Sequence, residues 1–185
     1  MIRISKLTML SMDDLLSMGN PAFEVKATYD VICQINEEEI LFSLKYRESK
    51  NIFNVKTYSN SNEDKGRYYK LIPEGNSFGA FDNEKLIGFV ISEKRQWNNS
   101  LWIEMIQIAK SHRGKGIGTQ LLNNLEAHAA TQKYRIIDIE TQNTNVPAIN
   151  FYRKNGYEIT GLNTALYDPK EVDNEIAIYM AKNLL

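Results

Sequence analysis

The sequence predicts an α/β fold of the α+β kind, a mixed and mostly antiparallel central sheet flanked by helices. Three observations predict it. Strand-like runs at residues 78–81, 86–92 and 101–109 follow one another across short turns, the pattern of an antiparallel meander. A glycine-rich loop then opens an amphipathic helix at 117–130, with Ile117, Leu121, Leu122, Leu125 and Ala129 on one face. An isoleucine-rich strand at 135–141, a short helix and two more strands come next, so a βαβ-like crossover lies inside the sheet.

The elements follow in chain order. Residues 2–7 form a short strand. Ser11 is a helix cap for the run after it, and Gly19-Asn20-Pro21 breaks that helix. Residues 29–47 read as two extended segments around Asn36-Glu37-Glu38-Glu39. The acidic run is also compatible with the start of a helix, where carboxylates are favoured. Residues 60–67 are polar and read as a surface loop. The meander has turns at Asp82-Asn83-Glu84-Lys85 and Trp97-Asn98-Asn99-Ser100. Ala148, Phe151 and Tyr152 share a short helix that stops at Asn155-Gly156, and residues 157–160 and 175–180 complete the strands.

Composition narrows the function. An apolar fraction of 43% and a charged fraction of 24% are those of a soluble globular chain, and 185 residues suffice for one domain, 1–185. The chain has no apolar run of the ~18 residues a membrane helix needs. Its opening residues lack the apolar centre of a secretory signal, so a cytoplasmic location is expected. A net charge of −1 argues against nucleic acid as the main partner. Cys33 is the one cysteine, which excludes an internal disulfide and a cysteine-based metal site, and two histidines leave little for metal catalysis. No metal is expected. Cys33 itself reads as a small buried hydrophobe.

The segment Arg113-Gly114-Lys115-Gly116-Ile117-Gly118-Thr119 carries the chemistry. Glycines allow tight turning and close approach of a ligand. The first-turn N–H groups of the helix then face outward with partial positive charge, a ready site for a diphosphate. Residues 110–115 add cations and no anion, and His112 adds charge near the phosphates. The dinucleotide fingerprint needs Gly-x-Gly-x-x-Gly, whereas the spacing here is Gly-x-Gly-x-Gly. The P-loop fails because no Gly-Lys-Ser/Thr follows at the right distance.

Arg113-x-x-Gly116-x-Gly118 resembles the signature of the GNAT acetyltransferases. Asn145-x-x-Ala148-x-x-Phe151-Tyr152-x-x-x-Gly156-Tyr157 resembles that family's second landmark, and together they cover roughly residues 100–160. A wider likeness, to the streptothricin acetyltransferases, is carried by Pro21-Ala22-Phe23-Glu24-Val25, Trp102-Ile103-Glu104-x-Ile106-x-Ile108-Ala109, Glu140-Thr141-Gln142 and Leu166-Tyr167. The resemblance implies the GNAT fold, acetyl-CoA as co-substrate, and acetylation of a primary amine on a small cationic antibiotic, hence antibiotic resistance. Polyamines, aminoglycosides and protein N-termini are the other acceptors such a fold serves, and an inactive acyl-CoA sensor is the non-enzymatic alternative. No membrane partner is expected, and a homodimer is left open.

The resemblance also implies roles. Ile106, Gln107 and Ile108 would offer backbone groups to the pantetheine arm, and Arg113 to Thr119 would hold the phosphates. Asn145 would both cap its helix and bond the cofactor. Tyr152 matches the family's general acid, with a core aromatic as the plain alternative. A lysine-like amine has a pKa near ~10.4 and must shed a proton, for which Glu104 is the best base, directly or through water; it is otherwise an exposed strand residue or an anchor. Acidic residues Glu37, Glu38, Glu39, Asp138, Glu140, Asp168, Asp173 and Glu175 are available for a cationic acceptor, with Glu140 foremost. Trp102 and Tyr167 are candidate apolar walls or plain core, and His128 reads as a packed or surface residue.

Overall fold

The computed structural model of the chain describes the backbone of residues 1–19, 23–55, 62–170 and 175–184, and the side chains of these except 23–24, 49–55 and 62–65. The break at Asn20-Pro21, the first residues of the 21–25 motif and Asp173 lie outside the described residues. Among the described residues nine strands and four α-helices run in the order β1 (Ile2–Lys6), α1 (Met12–Met18), β2 (Phe23–Ile35), β3 (Ile40–Val55), α2 (Asn62–Leu71), β4 (Phe78–Asp82), β5 (Lys85–Arg95), β6 (Ser100–Ile108), α3 (Ile117–Thr131), β7 (Ile136–Gln142), α4 (Val146–Lys154), β8 (Glu158–Asn163) and β9 (Ala177–Asn183). They group into two compact units. The first comprises Met1–Pro21, Thr57–Ile139 and Ala181–Leu185, the second Ala22–Lys56 and Glu140–Met180.

In the first unit the strand order is β1-β4-β5-β6-β7. The β1–β4, β4–β5 and β5–β6 pairs are antiparallel, as the meander pattern predicts, and β6–β7 is parallel. Strand β5 is buried on both faces. Phe89 and Ile91 join a cluster with Leu10, Leu15 and Met18 from the α1 region and with Tyr68 and Leu71 of α2. Val90, between them in the alternation, is equally inaccessible on the face toward α3. The α3 residues predicted to share a face, Ile117, Leu121, Leu122, Leu125 and Ala129, are all buried. The isoleucine and each leucine among them contribute about 1.5–3 kcal/mol through burial, and Ala129 less.

Helix α1 starts as predicted. Ser11 Oγ accepts from the Asp14 amide at 3.1 Å, and Asp14 Oδ2 accepts from the Ser11 amide at 2.9 Å, a complete capping box. Helix α2 corrects the reading of 60–67 as a loop from Asn62 onward, residues 60 and 61 lying outside the described residues. Its polar composition hides two buried residues three apart, Tyr68 and Leu71, which dock it against the core and override weak intrinsic propensity.

In the second unit β2 and β3 form a long two-stranded hairpin, and β7, β9 and β8 lie side by side in that order. The hairpin turn settles the alternative at the acidic run. Asn36 Oδ1 accepts from the amides of Glu38 at 3.0 Å and Glu39 at 2.8 Å, and no helix forms there. One hairpin face is a ladder of apolar pairs, Tyr29↔Tyr46, Val31↔Leu44, Cys33↔Phe42 and Ile35↔Ile40. The other carries the two-pronged Arg47–Asp30 pair at 2.6 and 2.9 Å. Cys33 is exposed, which corrects its reading as a buried hydrophobe: the strand carrying it belongs to a two-stranded sheet, and its cross-strand neighbour Phe42 is exposed as well.

His128 is packed, as read from the sequence. Its ring meets Asn76 Oδ1 at 2.9 Å and Lys6 Nζ at 3.2 Å, edge-on to Phe78. Burial, then the Lys6 ammonium, holds the imidazole below its usual range, so it is neutral with Nε2–H donating to Asn76. The unfolded chain therefore takes up this proton first. Stability is fully present above the ordinary imidazole value of ~6.5 and is lost as pH falls below it toward the folded value. Thermal melts from pH 7.5 to 5.5 should show a steeper decline for the wild type than for His128→Gln. Parallel declines would remove His128 from that role.

Candidate active site

In the first unit the predicted residues lie along one continuous path: β6, a 3-10 turn at Lys110–His112, the glycine loop and α3. The parallel ladder between β6 and β7 pairs Ser100↔Ile136 through Ile103↔Ile139. β6 continues beyond its last pair with β7, through Ile106, Gln107 and Ile108. On its other edge these three stay paired with Val90, Phe89 and Gly88. A side chain at Gly88 would meet Ile108 Cδ1 at 2.6 Å and the Gln107 carbonyl at 3.1 Å, so any larger residue there would displace the end of the Ile108 side chain and crowd β6. Gln107 is buried, and its Nε2 donates to the Gly19 carbonyl at 3.1 Å, tying β6 to the end of α1.

Glu104 marks a β-bulge. Ile91 stands opposite Met105 and Ser92 opposite Ile103, so no β5 residue stands directly across from Glu104. A bulge re-aims the side chain it carries. The Glu104 carboxylate, 16% exposed, lies 3.1 Å from Arg67 Nη2, and the same nitrogen lies 2.9 Å from Glu93 Oε2. Trp102, opposite Glu93, has the Arg95 guanidinium stacked 3.8 Å above its ring. Arg67, Glu93 and Arg95 were missed by sequence reasoning. The signal was the alternation of Glu93 and Arg95 on β5, while Arg67 sat in a segment read as loop.

The glycine loop has the conformation its composition predicts. Gly114 and Gly116 have φ of 76° and 77°, a region other residues avoid, and a Cβ at either would meet no protein atom within 4 Å. Backbone geometry therefore requires these glycines, and the space beside them is open. Gly116 is the N-cap of α3 and provides no side-chain cap, and the first turn holds no acidic residue. The first helical hydrogen bond runs from Gln120 N to Gly116 O at 3.1 Å, so the amides of Ile117, Gly118 and Thr119 have no acceptor within the helix. Around them Lys110, Arg113 and Lys115 are exposed. Arg113 Nε donates to the Ile108 carbonyl at 3.1 Å, fastening the loop to the end of β6. Amides, open space and cations fit a diphosphate.

In the second unit Tyr152, Glu140 and Tyr167 form one group. Tyr152 is 4% exposed on α4. Burial foremost, and then the Glu140 charge, push its phenol far above the usual range, so it keeps its proton at neutral pH. The Tyr167 hydroxyl donates to Glu140 Oε1, so Tyr167 acts here through its polar tip. Asn145 caps α4 as predicted, its Oδ1 accepting from the Ala148 amide at 3.1 Å, with Pro147 in the first turn. Asn143 was missed. It is buried, exchanges bonds with the Tyr29 backbone at 2.9 and 3.0 Å, and its Oδ1 accepts from the Ile176 amide at 2.8 Å. Burial pushes the Glu175 carboxyl up, while the Thr144 hydroxyl, 2.9 Å away, opposes this. An open pocket of about 440 Å³ lies beside the first turn of α4, lined by Val25, Ala27, Val146 and Pro147 with Lys26 and Glu48. No predicted site residue lines it. Among the described residues no cluster of His, Cys, Asp and Glu is arranged to hold a metal, and no helix is long and apolar enough to cross a membrane.

The sequence profile of the acetyltransferase (GNAT) family matches residues 41–157. A streptothricin acetyltransferase of Streptomyces lavendulae is 38% identical over 96 residues, 52% of this chain and 51% of that protein. One from Escherichia coli is 36% identical over 103 residues, 55% of this chain and 59% of that protein. The chain thus spans about half the length of the curated relatives it matches. The crystal structure of nourseothricin acetyltransferase superposes with a TM-score of 0.77 at 25% identity, covering 100% of this chain and 99% of that one. A Bacillus anthracis structure in complex with acetyl coenzyme A gives 0.73 at 26% identity, covering 99% of each. With the glycine loop, the uncapped α3 and the mostly antiparallel sheet in place, the chain belongs to the acetyltransferase (GNAT) family.

Proposed function

We propose that the chain transfers the acetyl group of acetyl-CoA to a primary amine of a small cationic molecule of the streptothricin class, in the cytoplasm, and so confers resistance to it. The uncapped amides of Ile117, Gly118 and Thr119 behind Gly114 and Gly116 carry this reading. They would hold the diphosphate, with Arg113 and Lys115 adding charge, while the backbone of Ile106, Gln107 and Ile108 would pair with the pantetheine arm and Asn145 would add a bond. When bound, acetyl-CoA supplies a thioester whose acyl carbon forms a C–N bond as its C–S bond breaks. Glu104 takes the proton the ammonium must shed, directly or through water. Tyr152 donates its phenol proton toward the departing sulfur and is reprotonated by the second proton that the nitrogen loses as the amide forms, so one proton in all, the one taken by Glu104, passes on to solvent. Glu140, held by Tyr167, supplies negative charge for a cationic acceptor, and Trp102 an aromatic surface.

The curated relatives named streptothricin acetyltransferases support the choice of acceptor. An acceptor panel with acetyl-CoA and thiol detection tests it: streptothricin, a polyamine, an aminoglycoside and an N-terminal peptide. Streptothricin should give the highest kcat/KM. A clear preference for another amine would replace the acceptor and keep the chemistry. Tight acetyl-CoA binding without turnover on any amine would make the chain a sensor.

A further inference from the structure

We infer that Arg67 is a positioning residue for Glu104, its guanidinium bridging Glu93 on β5 and the Glu104 carboxylate at the β6 bulge. This rests on the proposed role of Glu104 as proton acceptor. A glutamate has three rotatable bonds, and this one sits at the bulge where Ile91 stands opposite Met105 and Ser92 opposite Ile103, so the contacts of its carboxylate fix its direction. Arg67 Nη2 lies 3.1 Å from Glu104 Oε2 and 2.9 Å from Glu93 Oε2. Glu93 is held in turn, 3.9 Å from Arg95 Nε, and Arg95 stacks on Trp102. The chain Trp102–Arg95–Glu93–Arg67–Glu104 thus joins two strands and α2 and ends on the one carboxylate assigned to chemistry. A planar guanidinium donates along two directions at once, which a point charge on a flexible stem does less well. Arg67 is 46% exposed, and pairs this accessible contribute little to folding. Its loss should therefore register in turnover more than in stability.

A double-mutant cycle reads whether Arg67 acts through Glu104. With the amine acetylated fastest in the panel, Arg67→Met should lower kcat about tenfold and leave the KM for acetyl-CoA unchanged, with Arg67→Lys restoring part of the loss. In a Glu104→Gln background, Arg67→Met should change kcat less than about twofold, because its target is already gone. Equal factors in both backgrounds, or no effect of Arg67→Met on the wild type, would overturn the inference. Glu104→Gln with full turnover would instead remove Glu104 as the proton acceptor, a separate failure. A crystal structure of Arg67→Met reads the inference without turnover. Glu104 should leave its present position or take several rotamers, and an unchanged single rotamer would overturn it.

Discussion

Tyr152→Phe should slow acetyl transfer by about 10²-fold or more, the lower end of what a positioned proton donor contributes. Acetyl-CoA affinity, read by calorimetry, should stay within about twofold. The variant is a clean one. Phenylalanine keeps the ring contacts to Phe151 and Tyr157, at 5.2 and 5.7 Å between centroids, and removes one hydroxyl from a buried site. Burial and the Glu140 charge hold the phenol protonated well past its ordinary range. No loss of wild-type turnover should therefore arise from Tyr152 ionisation below about pH 10. A folded Tyr152→Phe enzyme with wild-type kcat would take the donor role away from this residue.

Gly116→Val is expected to weaken acetyl-CoA binding by one to two powers of ten, about 1.4–2.8 kcal/mol. A Cβ there meets nothing in the protein, so the intrusion falls on the ligand approaching the α3 amides. Valine must also adopt φ near 77°, a strained conformation that lowers stability whether or not a ligand binds. Gly75→Val separates the two effects. Gly75 has φ of 76° and the same open surroundings, but it ends the short 3-10 helix Ile72–Glu74, away from the glycine loop. Both variants should melt earlier, and only Gly116→Val should lose cofactor affinity. Equal affinity in the two would withdraw the phosphate role from the loop.

Much of the fold was legible because local signals agreed with tertiary demands. The α3 face, the meander and both helix caps each rest on periodicity or on a capping side chain a few residues away. Helix α2 was not legible, since Tyr68 and Leu71 are the buried apolar residues of its last turns, Tyr69 between them is exposed, and their value appears once the core exists. The site divides the same way. The glycine loop is a local motif, so its positive φ angles and the bare helix start follow from composition. The Glu104 bulge depends on register with β5, and the charges around it come from α2 and from β5, so neither shows in a single segment. Asn143 is a similar case: its value is as a clamp between Tyr29 and Ile176, far apart in sequence.

Helix α3 opens on a glycine, with no side chain over its first amides. Whatever anion settles there is met by the main chain, which every amino acid except proline supplies equally. Alanine scanning across residues 117–119 would leave those donors untouched, and recognition at this end of the helix would look indifferent to sequence. Exchanging a single amide for an ester, through an α-hydroxy acid at one position, deletes one donor while the side chain stays.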